Sequence, residues 1–442
     1  MPSTLTLERL TAALAGHAAA FRCQTTYQPA GGLGDKVFPP TYEGGKYATE
    51  RRIDPATGNM SPCVLLDSVQ SQANRMELAL LAEHRAGRIE LPLLTARFDD
   101  ERLTRPFAIN SLEAPHRVAD ALFRDCVIEG VTFRRSPVGA PLDQADLTNA
   151  TSVFALCPTA LVFGMWDSSG PRGGLGAKFQ RAIVSEIVGY DAQAGIATGG
   201  KVDTIPIRTD NRIYQRAEIA DDQPLWTLNP ELAKIEKKKP VTVGKEGKPS
   251  NANLGGVTPD IAYARNQKQQ IETDALTSED GTPLFGPNDR PLTRQRIKGG
   301  FTISRAEQRT VLSLATLRRQ HFPASGEIDF DAETDLKART ALAAIGLAAA
   351  TFVRRDGDLR SRCQLVAQDR VQWELLDEPG TEPERFALPA SAAVQLANDA
   401  ITAARDCGLP WHGEISLTPT DELLELVIRS QQQVIEADTG SE

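Results

Sequence analysis

Cys63-Val-Leu-Leu-Asp67 runs directly into Ser68-Val-Gln-Ser-Gln-Ala-Asn-Arg75, and Met76 to Ala86 continue the segment. The first five residues form an apolar run of strand length. The residues after Asp67 have helical spacing: Met76 and Leu80 lie four apart on an apolar face, and Ser71 and Arg75 share another. The same alternation recurs along the chain. Arg124 to Phe133 reads as a strand after a helix opened by Pro115. Ala160 to Trp166 (ALVFGMW) is the most strand-like segment; it enters the loop Asp167 to Gly176, after which Lys178 to Val188 has helical periodicity. Gly300 to Arg305 reads as a strand and Ala306 to Gln320 as a helix. Three further helices are expected over Glu333–Phe352, Pro389–Asp406 and Asp421–Ala437. Gly31 to Thr57 reads as a long loop with turns at Gly31-Gly32 and Gly44-Gly45. There is no internal repeat. Short strands alternating with helices and broken by long insertions imply an α+β sheet domain with appendages.

Residues 195 to about 300 differ in character. Aliphatic density falls while Lys, Asn, Pro, Gly and Asp rise, with Lys237-Lys238-Lys239 and Gly244-Lys-Glu-Gly-Lys248 in the middle. This is read as a large, partly flexible insertion. The six cysteines (Cys23, Cys63, Cys126, Cys157, Cys363, Cys407) are scattered, so neither a zinc site nor a disulfide framework is expected, and a reducing cytoplasm suits them. The first residues lack the basic-then-apolar plan of a signal peptide. Leu342 to Val353 is apolar and alanine-rich but too short to span a bilayer, so a buried helix and no membrane are expected.

The formal net charge of -9 argues against nucleic acid only if charge is spread evenly. It is not. From Arg290 to Arg319 there are eight cations against Glu307 alone, and from Trp411 to Glu442 seven acids against Arg429 alone. A polyanion responds to the field within a Debye length of about 8–10 Å. Both runs are equally compatible with ordinary solvated faces.

The glycine-rich loop fails the tests for a nucleotide fold. Ala177 separates Gly176 from Lys178, and Phe179 replaces the metal-binding hydroxyl of a P-loop; Phe179 also stands where a dinucleotide fingerprint needs a small residue. The five histidines have no metal-ligand spacing, and no G-x-S-x-G elbow occurs, so no catalytic residue, metal or cofactor is expected. What remains is Gly170, Arg172, Gly173, Gly174 and Gly176 flanked by Lys178 and Arg181. Backbone amides of such a loop, backed by cations, suit a phosphate; a tight turn needing glycine only for its angles is the plainer alternative. Arg75, and His116-Arg117 after Pro115, place cations near helix starts. There they oppose the helix dipole by about 0.3–1 kcal/mol each, which either a bound anion or a local carboxylate such as Glu77 or Glu113 would offset. Ser68, Gln70, Gln72 and Asn74 add donors suited to phosphate and ribose.

Four stretches carry a family resemblance: Leu66 to Arg75, Ser111-Leu-Glu-Ala-Pro-His-Arg-Val-Ala-Asp120, Phe163-Gly-Met-Trp-Asp-Ser-Ser-Gly-Pro-Arg-Gly-Gly-Leu-Gly-Ala-Lys-Phe179 and Gly299-Gly-Phe-Thr-Ile-Ser-Arg-Ala-Glu-Gln308. Together they resemble the backbone subunit of type I-U (I-G) CRISPR effector complexes, within the RAMP superfamily, over residues 60 to 325. The resemblance implies an RRM-like (ferredoxin-like) palm over 1–195 and 300–442, with finger insertions, and a thumb-like insertion over 196–299. It implies a non-catalytic subunit that lies in several copies along a guide RNA and presents it to target DNA, beside a large subunit and a repeat-processing, end-capping subunit. RNA contacts are carried over to the glycine-rich loop and to Ser68, Gln72, Asn74 and Arg75; Gln70, His116, Arg117, Lys178, Arg181, Lys298 and Arg305 complete the expected set. With tyrosine and tryptophan scarce, base stacking is expected to be a small share of affinity. A loop aspartate that cuts target RNA (Asp203, Asp210 or Asp221) and a purely structural protein are the rival readings.

Overall fold

A computed structural model describes residues 2–441 apart from 169–175, 202–204, 206, 209, 221, 256, 262, 267, 269, 279–280, 287–288, 297, 325–328, 330 and 356. The chain is mixed α+β and divides into two compact units: residues 1–100, 105–193 and 301–424 in one, and 101–104, 194–300 and 425–442 in the other.

The first unit is organised by one large sheet. Seven of its ten strands, in chain order, are β1 (Ala20–Pro29), β2 (Thr49–Ile53), β3 (Met60–Asp67), β6 (Ile183–Tyr190), β7 (Arg305–Ser313), β8 (Trp373–Leu376) and β9 (Glu384–Ala387); β4 (Met165–Trp166) and β5 (Lys178–Phe179) pair separately as a small hairpin. Across the sheet the order is β9-β8-β1-β7-β6-β3-β2. Every neighbouring pair among these is antiparallel. Tyr27 stands opposite Ala306 and Ile183 opposite Leu312, which fixes the central register. Three helices pack with it: α1 (Val69–Arg85), α2 (Ala332–Val353) and α3 (Ala390–Asp406), with α2 lying against both others.

α2 forms because its 22 residues are rich in Ala and Leu, and Asp331 caps its start by accepting from the Thr334 amide. Thr340 to Ala350 are all buried, so the helix is apolar on every side. It is longer than the apolar run alone implies, and by length and composition it would pass for a membrane span; here it is the core helix of its unit. Gly346 lets Val162 and Leu312 approach: a Cβ there would lie 3.2 Å from Val162 Cγ1.

Four local expectations are corrected. Ala160–Trp166 is not a strand: Pro158–Phe163 is a fully buried helix that ends at Gly164, with only Met165–Trp166 extended. Lys178–Val188 is not a helix but two strands: Ile183–Tyr190 lies between two partner strands, and because it exposes Val184 while burying Ser185 its sequence lacks the polar-apolar alternation that marks a strand. Ala306–Gln320 is strand to Ser313 and helical only over Leu314–Arg318. The helix expected after Pro115 is reduced to a 3-10 turn, Arg117–Ala119, and one α-helical turn, Ala121–Arg124. The helices expected at Met76–Ala86, Glu333–Phe352, Pro389–Asp406 and Asp421–Ala437 are present.

The second unit contains several short two-stranded pairings. Thr198–Lys201 pairs with Val257–Ile261, Tyr214–Gln215 with Trp226–Thr227, and Thr273–Ala275 with Thr293–Gln295. Ile235–Glu236 pairs with Lys239–Pro240, so Lys237 and Lys238 form a two-residue turn, both with positive φ.

Candidate nucleic-acid interface

Asp67 ends β3 and is fully buried at the start of α1. A buried carboxylate needs partners, and this one has four. It accepts from Ser71 Oγ at 2.7 Å, Gln72 Nε2 at 2.6 Å, Arg75 Nε at 3.0 Å and Arg360 Nη2 at 3.1 Å. Two guanidiniums on one carboxylate leave a local excess of positive charge. Both arginines keep part of their surface in solvent, Arg75 at 28%. Carbonyl oxygens aim them: Arg75 donates to Leu359 O and Arg360 to Leu66 O. Ser68 caps α1, its Oγ accepting from the Ser71 amide. Gln70 and Asn74 lie exposed on the helix.

Gln72 points the other way. It is buried, and its Oε1 accepts from Gln308 Nε2 at 2.7 Å and Ser185 Oγ at 3.2 Å. Tyr27 donates to Gln308 Oε1, and Arg354 donates to Thr310 Oγ1 beside Ser185. Gln72 thus belongs to a polar seam that locks α1 onto β6 and β7, not to the surface.

Arg117 is also turned inward. It makes a two-pronged pair with Glu77 of α1 at 2.6 and 2.7 Å and donates to Gly164 O at 2.9 Å. Burial pushes the Glu77 carboxyl up to about 7, opposed by the Arg117 guanidinium. Arg181 lies near the same carboxylate and donates to Phe163 O; desolvation lowers its pKa. Local carboxylates therefore satisfy the cations near α1, Asp67 for Arg75 and Glu77 for Arg117. The sequence pointed to Glu77 and Glu113 as such groups but not to Asp67.

β4 and β5 flank the glycine-rich segment. Trp166 pairs with Lys178, whose Nζ stands 5.5 Å from the indole centroid. Asp167 holds the base of this hairpin: its amide donates to Ala177 O, and its carboxylate meets Arg134 at 2.8 Å. Gly176 is half-buried, while Gly170, Arg172, Gly173 and Gly174 lie outside the described residues. His116 is exposed at the start of the 3-10 turn, as its N-cap residue. Arg305 stacks 4.5 Å over Tyr190 and is paired with Asp54 and Glu307. Lys298 is half-buried and belongs to the second unit. Ser68, Arg75, Arg117 and Arg181 are thus strung along α1 and the Gly164 corner with Lys178 nearby on β5; Arg305 is on β7.

The basic run from Arg290 to Arg319 is partly neutralised: Arg296 pairs with Glu272 and Asp274, and Arg309 with Glu307. Among the rival aspartates, Asp210 is exposed and paired with Arg208 at 2.9 Å, which holds its carboxyl below the usual range; Asp203 and Asp221 lie outside the described residues. Among the described residues, no group of His, Cys, Asp and Glu is placed to hold a metal ion. Two residues of this region were not singled out by the sequence. Arg360 reaches Asp67 from nearly three hundred residues away, with nothing local to mark it. Trp166 stands inside the Phe163–Phe179 motif and is exposed.

An α+β protein with arginine-backed strand-to-helix junctions has the chemistry of a phosphate-binding scaffold. Residues 21–194 match the family described as CRISPR-associated protein GSU0053, which supports a backbone subunit of a CRISPR effector complex. The match covers less than half of the chain and supports a CRISPR-related function. No curated protein is significantly similar to the chain.

Proposed function

We propose that the protein is a non-catalytic guide-RNA-binding subunit of a type I-U (I-G) CRISPR effector complex. It oligomerises along the guide in the cytoplasm and presents it for pairing with target DNA, beside a large subunit and an end-capping, repeat-processing subunit. The observation that carries this reading is the family match over residues 21–194, which contains both the Asp67–Arg75 junction and the glycine-rich segment. Connectivity supports an RRM-like palm. β8-β1-β7-β6 follows the 4-1-3-2 order of a βαββαβ sheet, with α1 on the way from β1 to β6 and α2 on the way from β7 to β8. β2 and β3 are then an added hairpin on the β6 edge. Arg75 and Arg360 supply charge without reading base edges, as a subunit that must hold any guide sequence requires.

The test is the ultraviolet spectrum of protein purified from cells with and without a guide array. Co-purified RNA raises the 260-to-280 nm ratio only when the array is present. A clean protein spectrum from both sources counts against the proposal.

A further inference from the structure

We propose that Trp166 is a base-stacking residue for single-stranded RNA, with Lys178 as its electrostatic partner; this rests on the RNA-binding reading above and adds how bases are held. In the β4–β5 hairpin, Met165 stands opposite Phe179 and Trp166 opposite Lys178. Side chains alternate along a strand, so the pair Met165 and Phe179 turns into the core and is buried, while Trp166 and Lys178 turn out. Trp166 is left 53% exposed, against 1% for Trp373. Large aromatics normally bury their surface or present it to a ligand. The mounting is firm: Asp167, the next residue, is buried and held by Arg134. Lys178 Nζ, 5.5 Å from the ring centroid, places a cation where the phosphate of a stacked nucleotide would need one.

The occupant this pair fits is a nucleotide with an open base face. Every base has such a face, so stacking tolerates any guide sequence; a duplex hides its base faces and offers only phosphate. Double-stranded RNA should therefore be indifferent to Trp166.

The experiment is a binding titration of the full chain with a short mixed-sequence single-stranded RNA at several salt concentrations. Trp166→Ala should weaken binding by about 5- to 100-fold, the range for loss of one base–aromatic stack, with the salt slope unchanged. Trp166→Phe should restore most of the affinity. Lys178→Ala should instead lower the salt slope by about 0.7. Quenching of tryptophan fluorescence by RNA should be smaller in Trp166→Phe than in the unaltered protein. Unchanged affinity of Trp166→Ala, with the unaltered protein binding RNA normally, overturns the stacking role and leaves the RNA-binding reading intact. Failure of the unaltered protein to bind RNA overturns both.

Discussion

Asp67 shares one negative charge between Arg75 and Arg360, and that ratio governs what each substitution should do. Removing either arginine leaves the carboxylate paired but takes away the surplus cation. Arg75→Ala should weaken RNA binding equally for all sequences and lower the salt slope by roughly 0.7 per lost phosphate contact; filter binding across a salt series measures it. A slope identical to that of the unaltered protein would remove Arg75 from the interface. Glu77 and Arg117 make a different prediction, because both are buried. A carboxyl whose folded pKa stands at about 7 binds its proton more tightly folded than unfolded. Its contribution to stability is therefore present below its ordinary value of about 4.5 and is lost as pH rises through about 7. Arg117→Leu leaves that carboxylate unpaired and should cost about 3–5 kcal/mol near pH 8, with the deficit shrinking toward pH 5 as Glu77 takes up a proton. Urea midpoints across that range test it, and adding Glu77→Gln should flatten the pH dependence. At this scale the sequence exposed what is local. Glu77 as a partner could be read from the cations near it. Arg360 and the inward turn of Gln72 depend on contacts between distant segments.

Element by element, legibility followed the burial of each segment. α1 could be read because one face is buried and the other wet, which writes a 3.6-residue period into Met76, Leu80 and their neighbours. β6 and β7 could not. β6 exposes Val184 and buries Ser185, and β7 carries Glu307, Gln308 and Thr310 into the interior, where Tyr27, Gln72 and Ser185 satisfy the last two and arginines the first. A polar strand at the centre of a sheet has no alternation to reveal it. α2 could be read from composition alone, since alanine permits the close approach that Gly346 extends. Gly346→Leu should therefore overpack against Val162 and Leu312 and cost about 1–3 kcal/mol in urea unfolding. In the second unit, the Lys237-Lys238 turn holds two non-glycine residues at positive φ, where Asn-Gly is the usual pair. Lys237→Asn with Lys238→Gly should raise the thermal midpoint of that unit by relieving backbone strain. If the lysine tip grips phosphate, the same change lowers the RNA salt slope, and the two readouts separate a structural turn from a binding one.

For the whole molecule, a net charge of -9 and an affinity for a polyanion are compatible only if the cations are gathered and the acids set apart. The ion pairs already qualify the simplest form of that idea: three of the eight cations in the Arg290–Arg319 run, Arg296, Arg305 and Arg309, are paired with carboxylates, so the count of cations overstates its field. Among the described residues, a local surplus stands at Arg75 and Arg360, which share one carboxylate, and Lys178 adds a cation that faces an indole ring. That distribution makes a prediction for assembly. If each copy contributes a few phosphate contacts and copies line one strand, the mass bound should rise in steps as single-stranded RNA is lengthened. The salt slope should grow with each step, because every added copy releases its own counterions, at about 0.7 per phosphate on single strands. Sedimentation of the protein with RNAs of graded length, at low and high salt, reads both quantities together. A single fixed stoichiometry at all lengths would leave a protein that binds RNA without lining it, and the backbone role would fall while the contacts at Asp67 and Trp166 remained.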